Sequence, residues 1–156
     1  MSDTRTKTSR VRRPGGSWAV PRAPHAAATA RRAVRTWLRH HQVDEDASQT
    51  AMLIASELVT NSVEHARGPV VLSLSGEGRC GRLRISVTDG GPAEDAGGWL
   101  SDRAEDEQGR GLMLVEAMAE RHGTRRRPGG SRTTHWAELA VDPADRPACA
   151  EPLAAR

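Results

Sequence analysis

The 156 residues, 37% apolar and 28% charged with neither Phe nor Tyr, suffice for one domain whose core Leu, Val, Ile, Met, Ala and four Trp must fill. The formal charge of +3 is carried mainly by arginine within residues 1–13, 31–39 and 125–127; with no helix-turn-helix or zinc-finger pattern beside it, nucleic-acid binding is left as a minor reading. Cys80 and Cys149 form no pattern for a disulfide framework or structural zinc, and no apolar run has membrane-spanning or signal-peptide character, so a cytoplasmic protein without a membrane segment is expected.

Residues 1–16 are polar and basic and end in Pro14-Gly15-Gly16, which reads as a disordered basic arm before a folded domain over 17–141. Ser17 to Val20 suits a short edge strand stopped by Pro21 and Pro24. From Pro24 to about His41, Ala27, Ala30, Val34, Trp37 and Leu38 recur at helical spacing opposite Arg31, Arg32, Arg35 and Arg39. His40 and His41, in the last turn of that helix, suit surface positions better than metal ligation. Asp44 or Asp46 caps a second helix that runs to about Ala66 and is ended by Gly68-Pro69. Residues 70–74 and 82–88 read as an antiparallel hairpin, with Leu83, Ile85 and Val87 on one face. Residues 89–108 are rich in Gly, Asp and Glu and form a long loop. Gly109-Arg110-Gly111 then opens a third helix ending near Gly123. Arg125 to Gly130 is a turn, Thr134 to Val141 a last strand, and 142–156 a loose tail. This order predicts an α+β two-layer sandwich, a mixed, mostly antiparallel sheet covered by helices on one face.

Three stretches carry chemistry. Glu57, Asn61 and His65 lie at i, i+4 and i+8, on one helix face about 6 Å apart per step. A carboxylate and a carboxamide on a half-buried stripe are costly unless they bind a ligand or hydrogen-bond within the protein. Asp89-Gly90-Gly91-Pro92 ends a strand, where an Asp can accept from an exocyclic amine and Gly91 admits close approach of a base; a plain turn is the alternative. Gly109-Arg110-Gly111-Leu112 at a helix start would offer backbone amides to phosphate, or serve as a hinge.

Taken together over residues 17–141, the chain resembles the GHKL superfamily of ATPases with the Bergerat ATP-binding fold, and within it the small anti-sigma-factor Ser/Thr kinases of bacteria. Glu57-x-x-x-Asn61-x-x-x-His65-Ala66 resembles the family's N box, Asp89-x-Gly91 its G1 box and Gly109-x-Gly111-Leu112 its G2 box. The resemblance implies that Asn61 coordinates Mg²⁺ on the phosphates of ATP and that Glu57 is the general base. It implies equally that Asp89 binds the adenine amine, that the 109–112 turn contacts phosphate, with Arg110 directed either to phosphate or to solvent, that Thr134 lies near the adenine, and that 92–108 is the ATP lid. Ala93 departs from a second glycine common in the G1 box. The implied activity is ATP-dependent phosphorylation of a Ser or Thr on a STAS-like anti-sigma-factor antagonist, coupled to sequestration of a sigma factor, with a homodimer as a further possibility. A non-catalytic, nucleotide-dependent binding protein is the alternative.

Overall fold

The computed structural model describes residues 12–77, 81–93, 105–129 and 131–141. Its elements are β1 (Arg12–Val20), α1 (Ala26–His40), α2 (Glu45–His65), β2 (Val70–Glu77), β3 (Arg82–Asp89), α3 (Glu105–Met118), β4 (Arg121–Arg126) and β5 (Thr133–Ala140). The five strands form one sheet in the order β1-β2-β3-β5-β4, and every pairing is antiparallel. This is the expected α+β sandwich.

Alternation decides which face of the sheet meets the helices. Leu83, Ile85 and Val87 on β3 are buried and stand opposite Leu139, Ala137 and His135 on β5. Leu72 and Leu74 on β2 continue the layer. On the helix side Ala30, Val34 and Leu38 of α1 and Ala51, Ile54, Ala55, Leu58 and Val59 of α2 close the core. Ala26, one residue earlier than the expected Ala27, is the first buried position of α1. The far face of the sheet is polar, with the Arg84 guanidinium 4.2 Å above the Trp136 ring and bonded to Glu138 at 3.0 Å.

Local chemistry sets the ends of α2. Asp44 takes the N-cap, and its Oδ1 accepts from the Ala47 amide at 2.8 Å. At the other end, the Arg22 guanidinium donates to the carbonyls of Ser62, Val63, Ala66 and Gly68 at 2.5–3.4 Å. A cation at the C-terminal end of a helix adds hydrogen bonds to its last carbonyls and complements the dipole. Arg31, expected to be purely solvated, reaches from α1 to Ser56 Oγ of α2 at 3.2 Å. His41 stacks on Trp37 with ring centroids 3.8 Å apart and bonds its carbonyl through Nδ1.

Three expectations are corrected. β1 starts at Arg12, so residues 12–16 of the supposed arm pair with β2, a register shift between Arg13 and Gly16 accommodating Pro14-Gly15. The remainder of the arm, the centre of the supposed lid (94–104) and the tail 142–156 lie outside the described residues. α3 begins at Glu105 and ends at Met118, which places Gly109-Arg110-Gly111 inside it; Glu105-Asp106-Glu107 suits a first turn, and the two glycines hid this. Residues 121–126, divided between a helix end and a turn in the sequence reading, form edge strand β4. Its Gly123 lies beneath Trp136, whose ring a β-carbon there would meet at 2.9 Å. Among the described residues no helix is long and apolar enough to cross a membrane.

Because Arg22 alone spans four carbonyls at the end of α2, Arg22→Ala is expected to lower the unfolding free energy by about 1–2 kcal/mol. Arg22→Lys, a single ammonium without the planar fork, should recover less than half of that. Urea denaturation of the three proteins reads both values.

Candidate functional site

The C-terminal half of α2 crosses the ends of β3 and β5, and there the sheet stops being apolar. Asp89 ends β3 with its face still turned to the helices and is only 2% exposed. A carboxylate so placed must be satisfied on site. Ser62 Oγ, from α2, donates to its Oδ2 at 2.7 Å, and the Gly91 amide donates to its Oδ1 at 2.8 Å. His135, from β5, sets Nε2 3.6 Å from Oδ2. Burial by itself would raise the pKa of Asp89; the contacts of His135, Ser62 and Gly91 outweigh it and hold the carboxyl below its ordinary value.

Gly91 adopts φ 88°, a conformation open to glycine, just after the amide that bonds Asp89. Its carbonyl accepts from the Arg67 amide at 2.9 Å, the Gly90 amide donates to the Arg67 carbonyl at 2.7 Å, and the Ala93 amide donates to the His65 carbonyl at 3.1 Å. A β-carbon at Gly90 would meet the Arg67 carbonyl oxygen at 2.5 Å. The segment after Asp89 is thus stitched, backbone to backbone, along the end of α2. Ala93 fits this ladder without positive φ, so no glycine is required where the resemblance led one to expect it.

Between these walls lies a cleft of about 130 Å³ lined by Asn61, His65, Ala66, Asp89, Pro92, Arg126, Thr133 and His135. Asn61 is half-buried, and its carboxamide has no hydrogen-bond partner among the described residues. A carboxamide oxygen facing a cleft suits a hard cation that keeps other oxygen ligands, so Asn61 fits a role beside Mg²⁺ and phosphate. Glu57, one turn earlier on α2, is also half-buried and makes no ion pair among the described residues, but it does not line the cleft. Instead its carboxylate packs against Gly111 of α3, where any β-carbon would strike Oε2.

The expected residues therefore fall into three groups. Asn61, Asp89 and Gly91 come together at the cleft, joined by His65. Gly109 to Leu112 occupy the second turn of α3, where helical amides bond preceding carbonyls and cannot form an anion site at a helix start. Within that turn Gly111 meets Glu57, whereas Arg110 and Leu112 are exposed and away from the cleft. Thr134 lies on the far face of the sheet, its hydroxyl 2.8 Å from that of Thr88. Its neighbour Thr133, buried and paired with Asp89, lines the cleft in its place. The alternation of Ala137, Leu139 and Val141 marks the odd-numbered face of β5 as the inner one, and this signal in the sequence pointed to Thr133 and His135. Arg126 entered the cleft unforeseen, because β4 was not recognised.

A sequence model described as the histidine kinase-like ATPase domain matches residues 20–135 of the chain. Among solved structures, the chain is similar to the RsbU and RsbW domains of Rv1364c from Mycobacterium tuberculosis. The TM-score is 0.64 at 24% identity, over 86% of this chain and 34% of that one. The chain thus spans about a third of that neighbour's length. It is also similar to the structure of the SiaB-SiaC complex from Pseudomonas aeruginosa, with TM-score 0.54 and 13% identity over 80% of this chain and 89% of that one. At these identities the two likenesses speak for the fold. No curated protein matches the chain.

The lowered pKa of Asp89 has a consequence for stability. The unfolded chain takes up a proton near the ordinary carboxylate value of 3.8, before the folded one does. The contribution of Asp89 is therefore complete above that value and is lost as pH falls through the folded pKa. Asp89→Asn is expected to cost about 1–3 kcal/mol at neutral pH and to flatten the fall in stability below about pH 4. Urea unfolding between pH 7 and 3 measures both.

Proposed function

The chain belongs to the histidine kinase-like ATPase domain family of the GHKL superfamily, and from that premise we propose that its cleft binds ATP·Mg²⁺ and that it is a protein serine/threonine kinase of the anti-sigma-factor type. The observation that carries the nucleotide reading is the buried, ionised Asp89 at the floor of a cleft whose other wall presents Asn61, without a hydrogen-bond partner among the described residues. In this reading the free lone pairs of Asp89 accept from the exocyclic amine of the base, and Thr133 stands beside it on β5. Asn61 would hold a divalent cation, which would supply charge neutralisation for the transferring group. Glu57, one helical turn from Asn61, accepts the proton of the attacking hydroxyl. Phosphoryl transfer asks a protein chiefly for positioning and charge stabilisation, and α2 carries both side chains on one rigid helix.

The substrate in this proposal is a Ser or Thr of a STAS-like antagonist, and the sequestered partner is a sigma factor. The likeness to a chain containing an RsbW domain, and to a structure solved as a complex of two proteins, supports a partner-binding role. A second reading, a nucleotide-dependent binding protein without transfer, is favoured by one observation. Glu57 stands outside the cleft lining, held against Gly111.

Calorimetry with ATP·Mg²⁺ and a phosphotransfer assay on a candidate antagonist separate the two. Asp89→Asn should weaken ATP binding by about 100-fold, the loss of a charged acceptor from a buried site. Glu57→Ala should keep binding and slow transfer by about 10²–10⁴-fold if Glu57 is the base. Gly111→Ala, which pushes the Glu57 carboxylate aside, should reproduce the Glu57→Ala pattern in milder form. Wild-type binding with no transfer to any antagonist tested would instead favour the second reading, and absence of ATP binding would end both.

A further inference from the structure

The base end of the cleft holds a titratable side chain for which the proposed nucleotide reading has no part. His135 stands on β5 opposite Val87 of β3 and Thr124 of β4. Its side chain is 20% exposed, and both ring nitrogens face polar atoms. Nδ1 lies 3.0 Å from Thr124 Oγ1, and Nε2 lies 3.6 Å from Asp89 Oδ2.

The Thr124 hydroxyl can donate to Nδ1 of a neutral ring or accept from an imidazolium. With either charge on the ring, the proton on Nε2 faces Asp89. Because an ionised carboxylate can only accept, these two neighbours favour the tautomer with its proton on Nε2, toward Asp89.

We propose that His135 is a positioning residue for nucleotide binding: braced by Thr124, it holds the Asp89 carboxylate in orientation so that its remaining lone pairs stay aimed at the base. The inference rests on the reading of Asp89 as the base acceptor. The other charged and titratable groups lining the cleft around the ring are His65 from α2 and Arg126 from β4. Neither occupies the place between Thr124 and Asp89.

The electrostatics run the same way. Burial pushes the Asp89 carboxyl up, and His135 is the foremost of the contacts that bring it down. With the imidazole replaced by an apolar side chain, less opposes burial, and Asp89 takes up its proton at a higher pH. A protonated Asp89 has one oxygen committed as a donor and accepts an amine less well. Nucleotide binding would then fail earlier on acidification.

The test uses the full chain in two measurements. Carbon-13 NMR follows the titration of the Asp89 carboxyl without nucleotide, and calorimetry follows ATP·Mg²⁺ affinity from pH 8 to 4. His135→Leu is expected to raise the Asp89 midpoint by about half a pH unit or more. It should also weaken ATP binding at neutral pH by about tenfold and move the acid limb of binding upward with the midpoint. His135→Gln, which can place an amide N–H near the same spot, should retain most of the affinity. Thr124→Val, which leaves the ring in place and removes only its brace, should shift the midpoint the same way by less, and keeps the test decisive if the Leu variant does not fold. An Asp89 midpoint unmoved in these variants overturns the proposal. A midpoint that moves while the ATP limb stays still overturns the role in binding, and places the fault in the assignment of Asp89 as base acceptor rather than in the His135–Asp89 contact.

Discussion

The constraint on which the rest of the site depends is the burial of one carboxylate. Asp89 is placed by β3 on the face that otherwise carries Leu83, Ile85 and Val87, so the strand delivers a charge to the position where its pattern calls for an apolar side chain. Leaving it unsatisfied would cost several kcal/mol. Each neighbouring element therefore supplies a donor or a dipole: α2 through Ser62, the turn through the Gly91 amide, β5 through His135. The carboxylate thereby fixes where these three elements sit relative to one another. A ligand that also donates to it adds to a network already assembled, and little reorganisation is needed on binding.

That network is only as rigid as the helix end that carries half of it. The last turn of α2 holds Asn61, Ser62 and His65, and fraying there would loosen all three. Two devices oppose this. From one side Arg22 gathers four carbonyls under one guanidinium; from the other, residues 90–93 run along Arg67, Ala66 and His65 in a short backbone ladder. Gly90 and Gly91 act in different ways here. Gly90 has no room for a β-carbon beside Arg67, whereas Gly91 has a positive φ that lets the chain turn directly after the amide bonded to Asp89. The Asp-Gly-Gly-Pro sequence is thus a turn that also sets Asp89 at the cleft, so its reading as a turn does not compete with its proposed role in binding.

Much of this was legible because it rests on periodicity and on caps. α1, the span of α2 with its Asp44 cap, and the alternating hairpin β2–β3 follow from apolar spacing and turn residues. Asn61 and Asp89 were found because their polarity breaks those patterns. What escaped did so for identifiable reasons. β4 is an edge strand with almost no buried residue, and Arg121, Arg125 and Arg126 gave it the look of a turn. β1 runs through a Pro-Gly-Gly bulge that normally argues against a strand. Thr133 and Thr134 are adjacent, and only the parity of the strand separates the residue at the cleft from the one on the opposite face.

The glycines of α3 illustrate how a wrong element assignment can conceal a right pairing. A glycine inside a helix costs about 0.5–1 kcal/mol relative to alanine, so two of them two residues apart argued for a helix start. Tertiary contact overrides that preference. At Gly111 a methyl group would occupy the space of the Glu57 carboxylate, so the absence of a side chain is what lets α3 lie close against α2 at that level. Leu112, Met113 and Leu114 stay exposed beyond it, and Val115 is buried in the core. Among the described residues, α3 meets the core through Val115 with Met118 packed beside it, and Gly111 leaves the space that the Glu57 carboxylate of α2 occupies. A shift of α3 by a fraction of a turn would bring a different residue opposite Glu57 and displace its carboxylate. The geometry of the proposed base is thus set by the packing of α3 on α2, and Gly111 belongs to that packing.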